Sequence, residues 1–263
     1  VAALMGMTET IAALAGVAHY AGAIETVIED TPAGLLVPGP DGPAKTLDEA
    51  DSKHMLTPYD LAMPLRWAGY VKGVPAAAKR LGFPVAIKIL DAEIAHKSKI
   101  GGVELNLASE AEVATAVKAI QRNVAHARPD LQNDYFVVEQ MVPPSLAELI
   151  IGVKRHAELG FVLLVGRGGV DAEVHRNYAL TLLPASDRSL ERTLDRLCLE
   201  LPVPDARRSV VAAMRTIADF TADHAVVLAE LDINPLLVLE DGSAMAVDAL
   251  VVVTDREDAG DLQ

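Results

Sequence analysis

The stretch Ala229-Glu230-Leu231-Asp232-Ile233-Asn234-Pro235-Leu236-Leu237-Val238-Leu239-Glu240-Asp241-Gly242-Ser243-Ala244-Met245-Ala246-Val247-Asp248 decides how this chain is read. Two apolar runs flank Glu240-Asp241-Gly242, and an Asp-Gly pair in that setting is a hairpin signal. The expected strands are 227–234 continuing through 236–239, and 243–247. Three polar residues interrupt them: Asp232, Asn234 and Asp248. Side chains on a strand alternate, so Asp232 and Asn234 share one face. Asp248 ends the partner strand, within reach of that face. Two carboxylates and an amide oxygen form a hard donor set that suits Mg²⁺, with the remaining ligands from water and substrate phosphate. An edge strand with one solvated face gives the same pattern, so the pattern alone leaves both readings open.

Composition sets the outer bounds. The chain has 263 residues, is 51% hydrophobic and only 4% aromatic, which suits helices packed on sheets in one or two domains. A net charge of −14 argues against nonspecific nucleic-acid binding. One cysteine, Cys198, excludes an intramolecular disulfide and fits a reducing, cytoplasmic compartment. It reads as a plain helix residue. No apolar run approaches the ~18 residues of a membrane span. The opening, Val1-Ala2-Ala3-Leu4-Met5-Gly6, reads as part of a longer chain rather than a signal peptide.

From the amino end, 8–21 has helical apolar spacing, and Val37-Pro38-Gly39-Pro40-Asp41-Gly42-Pro43 reads as a linker. A helix is expected over 47–56, with Thr46 as N-cap and Glu49 at capping-box spacing. Another is expected over 74–81, stopped by Gly82. Pro84-Val85-Ala86-Ile87-Lys88-Ile89 is a short apolar strand carrying one lysine. Lys88 either snorkels its ammonium to the surface or aims it at phosphate. Ala95-His96-Lys97-Ser98-Lys99-Ile100-Gly101-Gly102-Val103 can bring backbone N–H groups close to an anion, though it lacks P-loop spacing. A strand follows at 103–107. A capping box at Ser109-Glu110-Ala111-Glu112 then opens a helix whose stripe holds Val113, Val117, Ile120 and Val124. Strands are expected at 135–142, 148–153 and 161–165. Gly166-Arg167-Gly168-Gly169-Val170 is a phosphate contact or merely a turn. Helices follow at 190–199 and 206–224.

In this order the pieces resemble the ATP-grasp domain of NDP-forming acyl-CoA synthetases, related to the succinyl-CoA synthetase β subunit. The landmarks are Leu47-Asp48-Glu49-Ala50, Gly82-Phe83-Pro84-Val85-Ala86-Ile87-Lys88, His96-Lys97-Ser98-Lys99-Ile100-Gly101-Gly102-Val103, Glu148-Leu149-Ile150-Ile151-Gly152-Val153 and Glu230-Leu231-Asp232-Ile233-Asn234-Pro235-Leu236. The resemblance implies an α+β ATP-grasp fold with the nucleotide between two lobes, expected at 47–134 and 135–255. Residues 1–46 are then a helix and linker from a preceding domain, and 256–263 a tail.

The resemblance also implies roles. Lys88 matches a lysine on the nucleotide phosphates. His96, Lys97, Ser98, Gly101 and Gly102 match a phosphate-side loop, with His96 a candidate phosphate carrier. Glu139 to Val142 matches the segment that holds adenine through its backbone, and Glu148 a glutamate near the ribose. Gly168 and Gly169 match a loop near the transferred phosphate. Asn234 and Asp248 match the Mg²⁺ ligands, and Asp232 sits where related β subunits have Glu. The implied activity is an acid–CoA ligase that forms ADP or GDP through phosphohistidine and acyl phosphate. ATP, Mg²⁺ and CoA take part, with CoA and the small carboxylic acid bound mainly by a CoA-binding domain of the same longer chain or a partner subunit, in an oligomer. Departures are Lys99, where the family usually has an acidic residue, Asn177 in place of Asp and Thr181 in place of Arg. The competing readings are a nucleotide-binding regulatory module fused to an acetyltransferase, and another ATP-grasp carboxylate ligase.

Overall fold

The computed structural model describes residues 42–94, 97–131, 133–169, 177–201 and 203–254. Its elements fall into two sheets. Strands β2 (Arg66–Tyr70), β3 (Val85–Ile89), β4 (Val103–Leu107) and β5 (Tyr135–Gln140) form a four-stranded antiparallel sheet in the order β2-β5-β3-β4. Strands β1 (Ala44–Thr46), β6 (Ser145–His156), β7 (Gly160–Arg167), β8 (Tyr178–Leu183), β9 (Leu228–Leu239) and β11 (Ala249–Thr254) run β1-β11-β9-β6-β7-β8 in a larger sheet, with β10 (Ala244–Ala246) also paired to β9.

Helices cover one face of each sheet. On the small sheet, α2 (Val74–Leu81) and α3 (Glu110–Ala127) bury Val74, Ala77, Val113, Val117, Ile120 and Val124 against Val85, Ile87, Ile89, Phe136 and Val138. The expected stripe of α3 is thus its buried face. Ser109 caps that helix, its hydroxyl accepting from Glu112 N. Gly82, at φ +84°, ends α2 in a conformation that costs glycine little. On the large sheet, α4 (Asp187–Asp195) and α5 (Pro204–Asp223) bury Leu190, Leu194, Val210, Met214 and Ile217 against Leu149, Ile151, Leu163, Leu231 and Ile233. Full burial of a Val, Leu, Ile, Phe or Met side chain is worth about 1.5–3 kcal/mol, and the two clusters share no buried residue.

The hairpin at 240–243 is present. Ala244 pairs with Val238 and Ala246 with Leu236, while Asp241 Oδ1 accepts from both Ser243 N and Ser243 Oγ. Alternation on β9 does not run through. Leu231 and Ile233 are buried, and then Leu236 and Val238, so the phase slips at Asn234-Pro235. The ladder with β6 shifts at the same place, between Leu149 and Ile151. Such an irregularity re-aims side chains beside it.

Four expectations are corrected. The strand Tyr135–Gln140, expected in the second lobe, lies in the small sheet between β2 and β3, because antiparallel pairing to both fills its hydrogen bonds. Helix α1 (Glu49–Leu56), expected with the first lobe, packs on β11: Leu56 joins the large core and Ser52 Oγ accepts from Val251 N. The lobes therefore divide as 66–140 on one side and 44–63 with 145–254 on the other. Thr46 is a strand residue; the N-cap is Asp48, whose carboxylate accepts from Asp51 N, and Glu49 turns inward instead of capping. Cys198 is an exposed residue at φ +47°, beyond the end of α4, not a helix residue.

Candidate functional site

Period two on β3 and β5 builds the first half of the site. Ile87, Ile89, Phe136 and Val138 face the helices, so Lys88 and Glu139 face the other way, towards α1. There Lys88 Nζ bonds Glu49 Oε1 at 2.7 Å and Glu139 Oε2 at 2.8 Å. Lys53, on α1, bonds Glu49 Oε1 at 2.9 Å, Glu139 Oε1 at 2.5 Å and the Val247 carbonyl at 2.6 Å. Lys97 Nζ closes the group on Glu49 Oε2 at 2.8 Å. Glu49, Lys53, Lys88 and Glu139 are all buried. Burial alone would push the Glu49 carboxyl up, but the ammonium groups of Lys88, Lys53 and Lys97 hold it far below the usual carboxylate range. Burial would likewise strip the proton from Lys88; Glu49, Glu139 and Asp248 instead raise its pKa well above the ordinary value. Lys88 is therefore a buried, charged group and not a snorkelled one.

The loop after β3 lies over this cluster. Residues Lys97–Ile100 form a 3₁₀ turn, and the Ser98 carbonyl accepts from Gly101 N at 3.2 Å. Gly101 sits at φ +68°, and a Cβ there would come within 2.5 Å of Asn123 Nδ2. Gly102 donates to the Lys97 carbonyl and accepts from Ile89 N, which holds the turn against β3. His96 lies outside the described residues.

The second half of the site is the acidic end of β9. Asn234 N donates to the Asp248 carbonyl at 3.3 Å, so the two residues stand opposite each other across the β9–β11 ladder. Asp232 lies on the helix-free face of the large sheet. Burial, then Glu230 and Asp248, push its carboxyl up to about 6. Burial and the Glu49 carboxylate push Asp248 upward too, against Lys88, Lys53 and Lys97. Two carboxylates held above their ordinary range and an exposed Asn234 amide fit a divalent cation that takes further oxygens from phosphate and water. Among the described residues no three His, Cys, Asp or Glu side chains form a closed metal cage.

A third group joins Glu148, Gly168 and Gly169. Gly168 N donates to the Glu148 carbonyl at 2.8 Å, and Gly169, at φ +90°, lies beside Glu148 Oε2. The same face of the large sheet carries a cavity of about 460 Å³ lined in part by Ile150, Leu164, Arg167, Tyr178, Leu180 and Asp232. Val142 is half-buried in the crossing from β5 to β6, where Met141 N donates to the Pro84 carbonyl. Sequence reasoning alone misses Glu49 and Lys53 as site residues. Their signal was a Glu–Lys pair four apart, which on most short helices is a solvated pair.

A model of the ATP-grasp domain family matches residues 41–253. Trans-feruloyl-CoA synthase from an unknown prokaryotic organism is 31% identical over 228 residues, 83% of this chain and 32% of that protein. The β subunit of ADP-forming acetate–CoA ligase I from Pyrococcus furiosus is 26% identical over 216 residues, covering 80% of this chain and 92% of that one. This chain thus spans about a third of the first relative and nearly all of the second. Among solved structures, the dinucleotide-forming acetyl-coenzyme A synthetase 1 of Candidatus Korarchaeum cryptofilum, in complex with coenzyme A and Ca-AMPCP, superposes with a TM-score of 0.73 at 27% identity, over 80% of this chain and 93% of that chain. The family model takes in both sheets and the helices on them, and the chain belongs to the ATP-grasp domain family.

Proposed function

We propose that this chain is the nucleotide-binding part of an NDP-forming acid–CoA ligase, which makes an acyl-CoA thioester from a carboxylic acid, ATP and CoA. The observation that carries this reading is the meeting of Lys88 and Lys97 on Glu49, with the Asp248 carboxylate near enough for the charges of both lysines to act on it. That juxtaposition offers cations for phosphate on one side and hard oxygens for a divalent ion on the other. Lys88 and Lys97 would bind the phosphates, charge-assisted and oriented by Glu49. Asn234 and Asp248 would hold Mg²⁺, with Asp232 beside them. The chemistry Mg²⁺ supplies there is neutralisation of charge as the phosphoryl group moves. The crossing at Glu139–Val142 would receive the adenine, and Glu148 the ribose. Gly168 and Gly169 would approach the transferred phosphate with their backbone, and Ser98, Gly101 and Gly102 would border it.

The likeness to a β subunit and to part of a longer synthetase supports a CoA-binding partner domain, in the same polypeptide or in a second subunit. That domain would supply the phosphorylated histidine and most of the acid pocket, and His96 would be a second phosphate carrier. The single cysteine supports a cytoplasmic setting, and no helix among the described residues is long and apolar enough to cross a membrane. The test is a panel of carboxylic acids incubated with the full-length protein, ATP, Mg²⁺ and CoA. ADP that appears only with both acid and CoA is the expected product. Release of AMP rejects the mechanism, and acid-independent binding without turnover favours the regulatory module.

A further inference from the structure

An ammonium group has three donors, and counting them separates the three lysines of the site. Lys53 spends all three, on Glu49 Oε1, Glu139 Oε1 and the Val247 carbonyl, and its side chain is fully buried. Lys88 spends two, on Glu49 and Glu139, and keeps 9% of its side chain exposed. Lys97 spends one among the described residues, on Glu49 Oε2, with 14% exposed. Among the described residues the unspent donors thus belong to the two lysines that keep some exposure, and Lys53 has none for a ligand. Glu49 is the common acceptor. Its Oε1 takes Lys53 and Lys88, and its Oε2 takes Lys97.

These groups come from both lobes. Glu49 and Lys53 ride on α1, anchored to the large sheet through Leu56 and Ser52. Lys88 and Glu139 belong to the small sheet, and Lys97 to the loop after β3. The place of Lys88 and Lys97 is therefore set from the opposite lobe, through a buried carboxylate.

We propose that Glu49 and Lys53 are positioning residues that present the spare N–H donors of Lys88 and Lys97 to the nucleotide phosphates and set the spacing of the two lobes around them. This rests on the nucleotide-binding reading above. In this arrangement Glu49 is not a plug that phosphate displaces. Lys53 fixes it from behind, and it stays bonded to both lysines when nucleotide is present. The groups facing Lys88 are Glu49 from α1, Glu139 from β5 and Asp248 from the turn before β11, with the like charges of Lys53 and Lys97 on the same Glu49 carboxylate.

The test is Mg·ATP binding to the full-length protein and its Glu49→Gln variant by calorimetry, from about pH 7 to about pH 9.5, a range below the ordinary lysine pKa. The amide that replaces the carboxylate is neutral, and its NH₂ must face one of the lysines. Binding at least about tenfold weaker is expected, since charge-assisted contacts are lost. The loss should grow with pH, because Lys88 then has less negative charge to hold its proton, while the parent's affinity stays level. A folded Glu49→Gln protein with the parent's affinity and a level pH profile overturns the proposal. Should that variant not fold, ¹⁵N-lysine spectra of the parent carry the test. The slowly exchanging ammonium signals of Lys53 and Lys88 must persist when Mg·ATP is added, and loss of the Lys53 signal overturns it. A parent that binds no Mg·ATP sinks the nucleotide reading and this proposal together; a parent that binds normally beside an unchanged variant sinks this proposal alone.

Discussion

Lys53 and Glu139 are 86 positions apart, yet the Lys53 ammonium and the Glu139 carboxylate meet at 2.5 Å across the boundary between the two lobes, both buried. The contact ties α1 of the large lobe to β5 of the small one, beside the site and not at the periphery. Removing one partner of a buried ion pair leaves the other charge without compensation, at a cost of about 3–5 kcal/mol. Lys53→Met should lose stability on that scale in urea denaturation. A loss below about 0.5 kcal/mol, ordinary for surface sites, would show the contact to be incidental.

Lys97 offers a cleaner view of ligand binding, because among the described residues Glu49 is its one carboxylate partner and its side chain is more exposed than those of Lys53 and Lys88. Lys97→Ala is expected to weaken Mg·ATP binding by about 1.5–3 kcal/mol, the usual worth of hydrogen bonds to charged groups. Melting temperature should move less than in Lys53→Met. Equal destabilisation by the two substitutions, with nucleotide affinity unchanged in Lys97→Ala, would place Lys97 among the struts.

Asp232 makes the fold pH-dependent in a stated direction. Burial, then Glu230 and Asp248, raise its folded-state pKa to about 6, above the ordinary 3.8. The folded chain without metal therefore holds its proton more tightly than the unfolded chain. Stability falls as pH rises from about 4 to about 6, and the penalty persists above that. Asp232→Asn should remove this slope and stabilise the metal-free protein at neutral pH by on the order of 1 kcal/mol, after discounting for partial exposure. Added Mg²⁺ should stabilise the parent more than the variant. Melting curves at pH values on either side of that window decide the matter: parallel shifts of both proteins would contradict the assignment.

Gly101 is required by its backbone. At φ +68° a side chain is strained by roughly 1–2 kcal/mol, and a Cβ would also press on Asn123. Gly101→Ala should lose at least that much stability and open the turn at Lys97–Ile100. Hydrogen exchange at Gly101 and Gly102, whose amides donate to Ser98 and Lys97, reports the opening directly. Unchanged protection there would mean that the turn tolerates a side chain.

Much of this layout was legible from local signals. The hairpin at Asp241-Gly242, the capped stripe of α3 and the stop at Gly82 each follow from chemistry within a few residues, and each appears in the structure. What was not legible depends on distant pairing. Tyr135–Gln140 looks the same whether it joins one sheet or the other; only its registry with Trp67 and Ile87 decides. Strand β2 is short and holds Gly69, and as an edge strand it needs only one neighbour, so its signal is faint. Glu49 was misread for a related reason. Its spacing from Thr46 suggests a cap, whereas Lys53 on its own helix and Lys88 and Lys97 from the other lobe draw it inward.

The central claim is that nucleotide lies between the two sheets, with its phosphates on Lys88 and Lys97 and its metal on Asn234 and Asp248. A crystal structure of the protein with Mg²⁺ and a non-hydrolysable ATP analogue tests this most directly. Mg²⁺ is expected at about 2.0–2.1 Å from side-chain oxygens of Asn234 and Asp248, with a phosphate oxygen in hydrogen-bond reach of Lys88 Nζ. A nucleotide bound elsewhere, or a metal that touches neither Asn234 nor Asp248, would contradict it.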